Sequence, residues 1–193
     1  FIALTWLDSG TRSFYTVKTP VMTPADLKGL KIRTMDSPMA IEMMNCFGGS
    51  ATAMPISDVY TAMQSGVIDG AENNETALTV GGHGEVAKCY SYDEHTRIPD
   101  IVLISTKVWN KFSAEQQEIV QAAADAAKET YKADWQAAIE QAVKDAETNL
   151  GVTFYHPDSL APFQEAVQPI YDRLAKEEPE VWALCEKIQA FQA

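Results

Sequence analysis

Residues 26–74 read DLKGLKIRTMDSPMAIEMMNCFGGSATAMPISDVYTAMQSGVIDGAENN, and short strand patterns alternate there with short helix patterns. The strand patterns, Leu30–Thr34 and Val67–Asp69, enclose two helix patterns, which is the order of one lobe of an α/β fold. Arg33 lies near the carboxyl end of the first strand, where open α/β sheets bind their ligands. The amide pair Asn73–Asn74 follows the second strand. The segment therefore predicts an α/β lobe with a ligand site close to Arg33.

Both helix patterns carry signals for where they begin and end. In the first, Ser37 is a candidate N-cap, Pro38 occupies the first helical position and Gly48 follows the last. The second pattern runs from Ser57 to Ser65, with Gly66 after it. Apolar residues fall on one face of each helix: Met39, Met43, Cys46 and Phe47 in the first, and Val59, Ala62 and Met63 in the second.

The composition of the 193 residues limits the possible classes of function. A hydrophobic fraction of 46% is enough for the core of one or two domains. The net charge of −12 disfavours a nucleic acid or an anionic membrane surface as partner, so an anionic ligand would need a local group of Arg or Lys. No apolar run reaches the roughly 20 residues that span a bilayer, and no signal-peptide pattern opens the chain. We therefore expect no direct insertion into a membrane.

The sequence contains no motif of a metal, nucleotide or catalytic site. The three cysteines, Cys46, Cys89 and Cys185, lack metal-ligand spacing, and an odd number cannot all pair, so buried free thiols are the favoured interpretation. The run Gly81–Gly84 lacks the G-x-G-x-x-G order of a dinucleotide site. Neither a G-x-S-x-G elbow nor an H-E-x-x-H helix is present. We predict no catalytic residue, no cofactor and no metal.

A long helix is the main feature of the second half. The capping box Ser113–Gln116 opens a helix pattern that continues to Leu150, before Gly151. An unbroken helix of this length would span about 55 Å at 1.5 Å per residue, and two helices with a kink are the alternative. The other predicted elements are strands at Phe1–Leu7, Phe14–Val17, Ile101–Ser105 (buried) and Val152–Tyr155, helices at Glu75–Tyr90, Leu160–Lys176 and Val181–Gln192, and a polar connection at Ser91–Ile98.

Arg33 is the first candidate for binding. Its guanidinium offers five donors in a planar fork that matches the two oxygens of a carboxylate. The structural alternative is a salt bridge to Asp36 or Asp69. Asn73 is a second candidate, because a side-chain amide can donate to a carboxylate and also exchange hydrogen bonds with a hydroxyl.

Three further residues have both a binding and a structural interpretation. Arg12 is either a cation of the binding pocket or a member of a surface salt bridge. His95, with its neighbours Tyr92 and Glu94, could contact ligand hydroxyls or could be a solvated or core histidine. Met54 could form an apolar pocket wall with Ile56 and Tyr60, or pack in the core. The spacing of the residues leaves these alternatives open.

Four segments together resemble the solute-binding proteins of tripartite ATP-independent periplasmic (TRAP) transporters, in their dicarboxylate-type branch. They are SGTRSFYT at 9–16, DLKGLKIR at 26–33, MPISDVYTAMQSGVIDGAEN at 54–73 and HTRIPDIVLIS at 95–105. The resemblance implies that Arg33 binds the ligand carboxylate, that Arg12 is a supporting cation and that Asn73 faces the ligand. It also implies a periplasmic location.

The resemblance implies an α/β, class II periplasmic binding protein-like fold with two lobes, hinge strands and a long helix that spans both lobes. Because family members are longer, we expect this chain to be the C-terminal two-thirds, with the first lobe incomplete. The expected divisions are a hinge strand at 1–10, the second ligand-binding lobe at 11–98, a return strand at 99–112, the lobe-spanning helix at 113–150, and a C-terminal strand and helices at 151–193.

The function implied is capture of a small organic anion in the cleft between the lobes and its delivery to the TRAP membrane subunits. The polar residues of 92–97 favour a sugar acid such as a uronate over a C4-dicarboxylate. Two other classes remain as alternatives: a small acyl- or carbohydrate-processing enzyme on an α/β scaffold, and an extracytoplasmic ligand-sensing domain.

Overall fold

A computed structural model describes residues 1–191, which form eight strands and eight α-helices. The strands are β1 Ile2–Leu7, β2 Thr11–Thr16, β3 Lys31–Thr34, β4 Ser50–Ala53, β5 Gly70–Asn73, β6 Cys89–Arg97, β7 Asp100–Ile104 and β8 Thr153–Tyr155. The helices are α1 Pro38–Phe47, α2 Val59–Gln64, α3 Thr76–Thr79, α4 Thr106–Trp109, α5 Ala114–Leu150, α6 Ala161–Ala166, α7 Gln168–Glu177 and α8 Pro179–Ala190. Short 3-10 turns lie at Pro24–Leu27, Ile56–Asp58 and His83–Glu85. The predicted end of the last helix at Gln192 lies outside the described residues.

Six strands form one mixed sheet in the order β4-β3-β5-β2-β6-β8. The pairs β3–β4, β3–β5 and β6–β8 are parallel, whereas β2 is antiparallel to both β5 and β6. As a consequence, the carboxyl ends of β3 and β5 lie at the same edge as the first residues of β2 and the last residues of β6. This edge is called the binding edge below.

The core lies on both faces of this sheet. Side chains alternate along a strand, so the neighbours Phe14 and Tyr15 of β2 enter different clusters, and both are fully buried. The Phe14 cluster also contains Met44 and Phe47 of α1. Met39, which lies on the same predicted apolar face as Met43 and Phe47, is 43% exposed at the start of α1.

The strands β1 and β7 form a separate antiparallel ribbon. The continuous apolar run at 101–105 had predicted a buried strand, and this prediction was wrong for the described part of the chain. Ile101 is 50% and Leu103 54% exposed. A two-stranded ribbon covers little of its own surface, and residues 1–191 place no layer over these side chains.

The helix α5 is one uninterrupted helix of 37 residues, so the prediction of an unbroken rod is confirmed. Ser113 and Gln116 form the predicted capping box, and Gly151 ends the helix in the left-handed conformation. The N-terminal half contacts the ribbon, where Gln121 donates to the carbonyl of Leu4 at 2.9 Å. The C-terminal half buries Ala146 against the six-stranded sheet. The helix therefore connects the two sheets.

Two element predictions were wrong because tertiary pairing overrode the local pattern. The strand predicted at Val67–Asp69 begins at Gly70 instead, because the preceding residues form the turn that closes α2, with Val67 N–H donating to Ala62 O. Gly70 is needed there, since a Cβ would approach the carbonyl oxygen of Tyr15 to 2.4 Å. A helix was predicted at 75–90 and a polar connection at 91–98. The structure instead has a short helix, a turn and strand β6 there, and β6 pairs with β2.

Candidate functional site

The binding edge brings four of the five predicted site residues onto adjacent strands. Arg33 lies near the end of β3, Asn73 ends β5, Arg12 is the second residue of β2, and His95 lies near the end of β6. Met54 directly follows β4, next to β3. Residues up to 83 positions apart in sequence therefore lie at one edge, because the sheet combines parallel and antiparallel strands.

Arg12 is held by a buried carboxylate rather than left free for a ligand. Its Nε and Nη2 atoms donate to the two carboxylate oxygens of Glu72 at 2.6 and 2.9 Å, and Nη2 also donates to the Glu72 carbonyl oxygen. Side-chain exposure is 16% for Arg12 and 5% for Glu72. Burial lowers the pKa of Arg12, but the bidentate partner outweighs it and raises the pKa above its ordinary value. Arg12 is therefore a neutralised, supporting cation.

Asn73 is oriented by two hydrogen bonds to the same atom. Its Oδ1 accepts from Arg12 Nη1 at 2.9 Å and from the backbone N–H of Asn74 at 2.9 Å. Since the oxygen is occupied by donors, the amide nitrogen is left to donate elsewhere. The side chain therefore suits a ligand group that accepts hydrogen bonds, such as a carboxylate or hydroxyl oxygen.

Arg33 differs from Arg12 in having no carboxylate partner within residues 1–191. The residue is 4% exposed, and its one recorded hydrogen bond joins Nε to the backbone carbonyl of Met54 at 2.9 Å. Burial lowers the pKa of Arg33, and only longer-range interactions with Glu72 and Tyr15 oppose this. The predicted alternative, a salt bridge to Asp36 or Asp69, is not formed in the described chain. Two terminal nitrogens of a buried guanidinium thus remain available for an anion.

His95 lies inside the lobe and not in a loop, because β6 carries a bulge opposite β2. Between the pairs Arg12–Thr96 and Phe14–Ser91 the register shifts, and Glu94 adopts a φ of 48°. Bulges re-aim side chains at the rims of sheets. Here the bulge lets Asp93 accept the backbone N–H of Phe14 at 2.9 Å and stacks the His95 ring on Phe14 with centroids 4.4 Å apart.

Two carboxylates keep the buried His95 imidazole charged. Its Nδ1 lies 2.6 Å from Asp93 Oδ2, and its Nε2 lies 3.6 Å from Glu72 Oε2. Burial lowers the pKa of His95, but Asp93 and Glu72 together outweigh it and raise the pKa to about 9. His95 therefore supports the site from within, while its side chain is only 1% exposed.

Met54 takes part through its backbone, since its carbonyl oxygen fixes Arg33, while its side chain packs against the core. Of its proposed companions in an apolar wall, Ile56 is 49% exposed and Tyr60 donates to Glu85 at 2.8 Å.

Behind the site, the buried Tyr15 hydroxyl bonds to His83 Nδ1 at 2.7 Å.

Sequence reasoning missed Glu72, which neutralises Arg12, and Asp93, which with Glu72 holds His95 in its charged form. The only sequence signal for these two residues was that each carboxylate lies inside or beside an apolar strand pattern. A charge buried at such a position needs a partner. Among the connected side chains of the site, Arg12, Arg33 and His95 are cationic and Glu72 and Asp93 are carboxylates, so these five groups carry one positive charge in a chain of net charge −12. Such an edge suits a monoanion.

Other types of site are not found among residues 1–191. No three His, Cys, Asp or Glu side chains converge as metal ligands there. Cys46, Cys89 and Cys185 are free, although only Cys89 is fully buried. None of the helices in this part of the chain combines the length and apolarity required to cross a bilayer.

Comparison with known proteins identifies relatives along the whole chain. Residues 1–178 match the model of the bacterial extracellular solute-binding protein family 7 (DctP). Over 98% of its length, the chain is 50% identical to the uncharacterized protein YiiZ of Salmonella typhimurium. It spans 57% of that relative's length, so it corresponds to just over half of the longer protein.

Solved structures also resemble this chain along most of its length. A TRAP periplasmic solute-binding protein from Anaerococcus prevotii with bound D-glucuronate is 41% identical, with a TM-score of 0.92 over 98% of this chain and 61% of its own. A second, from Xanthobacter autotrophicus with bound β-D-galacturonate, is 39% identical, with a TM-score of 0.90 over 98% and 62%. The fold is therefore the predicted periplasmic binding protein-like one. On the family match and these identities, the chain belongs to the DctP family of TRAP solute-binding proteins.

Proposed function

We propose that the protein binds a hexuronate, with the sugar carboxylate on Arg33. The observation that carries the proposal is a 4% exposed guanidinium with no carboxylate partner in residues 1–191, at the edge of the sheet where Asn73 presents its amide donor. A planar fork of this kind matches a carboxylate in two-point contact. The relatives with bound glucuronate and galacturonate support the sugar acid over the C4-dicarboxylate.

The same residues define the role of each neighbour. Asn73 donates to the carboxylate or to an adjacent hydroxyl, and Arg12 holds Asn73 in that orientation. Glu72 keeps Arg12 in place and balances its charge, and His95 lies against the same carboxylate. Met54 positions Arg33 through its carbonyl oxygen. Glucuronate and galacturonate differ in the configuration of one hydroxyl, and both carry the carboxylate, so the anchor contact serves either sugar.

The protein acts by binding without turnover, as a solute-binding protein of its family. A ligand that prefers the closed arrangement of two lobes shifts the equilibrium toward it by its difference in affinity. The strands at 1–10 and 99–112 act as the hinge, and residues 11–98 form one ligand-binding lobe. The helix at 113–150 spans both lobes, and residues 151–193 pack against them. The closed form delivers the ligand to TRAP membrane subunits. Its location is the periplasm, in keeping with the family and with the periplasmic relatives.

Isothermal titration of the full-length protein tests the proposal. We expect glucuronate and galacturonate to bind, and glucose and galactose at the same concentrations to give no heat of binding. Succinate serves as the dicarboxylate control and should bind more weakly than either uronate. Equal affinity for glucose and glucuronate would overturn the Arg33 contact. Sugar recovered chemically changed after incubation would instead favour an enzyme.

A further inference from the structure

Asn74, next to the ligand-facing Asn73, has a buried side chain that leads away from the binding edge. It is 8% exposed. Its Oδ1 accepts from the backbone N–H of Thr76 at 3.2 Å and from the Thr76 hydroxyl at 2.6 Å. These two donors fix which end of the amide is oxygen, so the Nδ2 group must point the other way.

The Nδ2 group of Asn74 donates to the backbone carbonyl of Ser9 at 3.1 Å. Ser9 belongs to the connector 8–10, which joins strand β1 of the ribbon to strand β2 of the six-stranded sheet. The hydroxyl of Ser9 in turn donates to Asp100, at the start of β7. One side chain thus reaches from the end of β5 to the chain segment that links the two sheets.

The second connection between the sheets is tied into the same group. Asp8 accepts from the N–H of Gly10 at 3.0 Å and forms an ion pair with Arg97, the last residue of β6. Residues 98 and 99 then lead from β6 to β7. Both connectors are therefore bonded to each other, and Asn74 bonds this group to the binding edge.

We propose that Asn74 is a positioning residue that couples the ligand contact at Asn73 to the connector at Ser9. The backbone N–H of Asn74 bonds to Asn73 Oδ1 while its side chain bonds to Ser9 O, so displacement at one bond is passed to the other through a single buried residue. The coupling explains how a ligand at the edge of one sheet alters the connector to the other. It rests on the proposed ligand site, and part of its test does not need the ligand.

Hydrogen exchange of the full-length protein, measured on peptides that cover residues 8–12, tests the coupling. Asn74→Ala removes all three side-chain hydrogen bonds, and Asn74→Asp keeps the acceptor for Thr76 but replaces the donor to Ser9. Thr76→Val is the matched control, since it removes one bond of Asn74 and leaves the Ser9 contact intact. Without ligand, we expect exchange at residues 8–12 to accelerate about fivefold in both Asn74 variants, the factor for one neutral hydrogen bond of ~1 kcal/mol, and not in the control.

Saturating glucuronate provides the second measurement. In the wild type and in Thr76→Val, it should slow exchange at residues 8–12 as well as at 70–73. In Asn74→Ala, the slowing should persist at 70–73 and be lost at 8–12, a pattern that general destabilisation would not produce. Unchanged exchange at 8–12 without ligand, or a wild-type response to ligand in Asn74→Ala, would overturn the coupling. If the wild type does not bind glucuronate, the proposed function fails, and the ligand-free comparison still decides the role of Asn74.

Discussion

Arg12 and Arg33 lie at the same edge of one sheet, yet their surroundings assign them different roles. Arg12 gives hydrogen bonds to both carboxylate oxygens of Glu72, to a backbone carbonyl and to Asn73. Arg33 gives one, to Met54 O, although it is the more deeply buried. Burial of a cation therefore does not by itself mark a binding residue. The unused donors of Arg33 are the basis of its proposed role, because a buried guanidinium without a counter-ion is stabilised when an anion arrives.

The largest effect is expected from Glu72→Gln, which removes the carboxylate shared by Arg12 and His95. Arg12 would lose its carboxylate partner and His95 the more distant of its two, and breaking a buried ion pair costs about 3–5 kcal/mol. Urea unfolding with the midpoint and slope both fitted should show this loss of unfolding free energy. A loss below about 1 kcal/mol would mean that Arg12 is solvated and as free to bind a ligand as Arg33.

The next effect is on binding and comes from Arg33→Ala. Truncating one member of a buried charge pair in the complex costs roughly 2–5 kcal/mol, so affinity for glucuronate should fall about 30-fold or more. Arg33→Lys should recover part of the affinity, since the ammonium keeps the charge and lacks the planar fork. Titration calorimetry measures both, and affinity within threefold of wild type for Arg33→Ala would contradict the role of Arg33.

The pH dependence of stability should distinguish His95 from an ordinary histidine. Its pKa in the folded protein is about 9, above the ordinary value of 6.5. A raised pKa means that the stabilisation is complete below about pH 6.5 and is lost as the pH rises toward 9. The loss should be on the order of 2–3 kcal/mol. Across this pH range, the unfolding free energy should fall in the wild type and stay nearly constant in His95→Asn. If the two proteins lose the same unfolding free energy, the pH dependence comes from other groups.

The smallest effect is expected from Asp8→Asn, a charge deletion matched to Glu72→Gln but at an exposed pair. Asp8 and its partner Arg97 are 36% and 61% exposed, and such pairs contribute about 0–1 kcal/mol. The asparagine oxygen can still accept from the N–H of Gly10. The same urea measurement should detect little change. A loss of unfolding free energy as large as that of Glu72→Gln would mean that the difference in burial does not determine how much each ion pair stabilises the fold.

The sequence predicted the positions of the candidate site residues better than their states. Arg33 lies near the end of a strand that the local pattern predicted, whereas Asn73 lies beyond the predicted strand at 67–69 and no strand was predicted before Met54; the structure brings all of them to one edge. The charges could not be predicted, since Glu72 meets Arg12 across 60 residues and His95 across 23. The bulge in β6 that brings Asp93 and His95 inside depends on pairing with β2, so the local polar pattern suggested a loop instead.

Helix ends were determined by the sequence itself. The capping box at Ser113 and Gln116, Gly48 after α1 and Gly151 after α5 act within one turn, through hydrogen bonds and backbone angles that neighbouring residues supply. Tertiary structure decided which apolar strand is covered, where the segment 75–98 becomes a strand, and which of two arginines keeps its donors free. These outcomes depend on partners far away in the chain, whose burial and hydrogen bonds override the local preference.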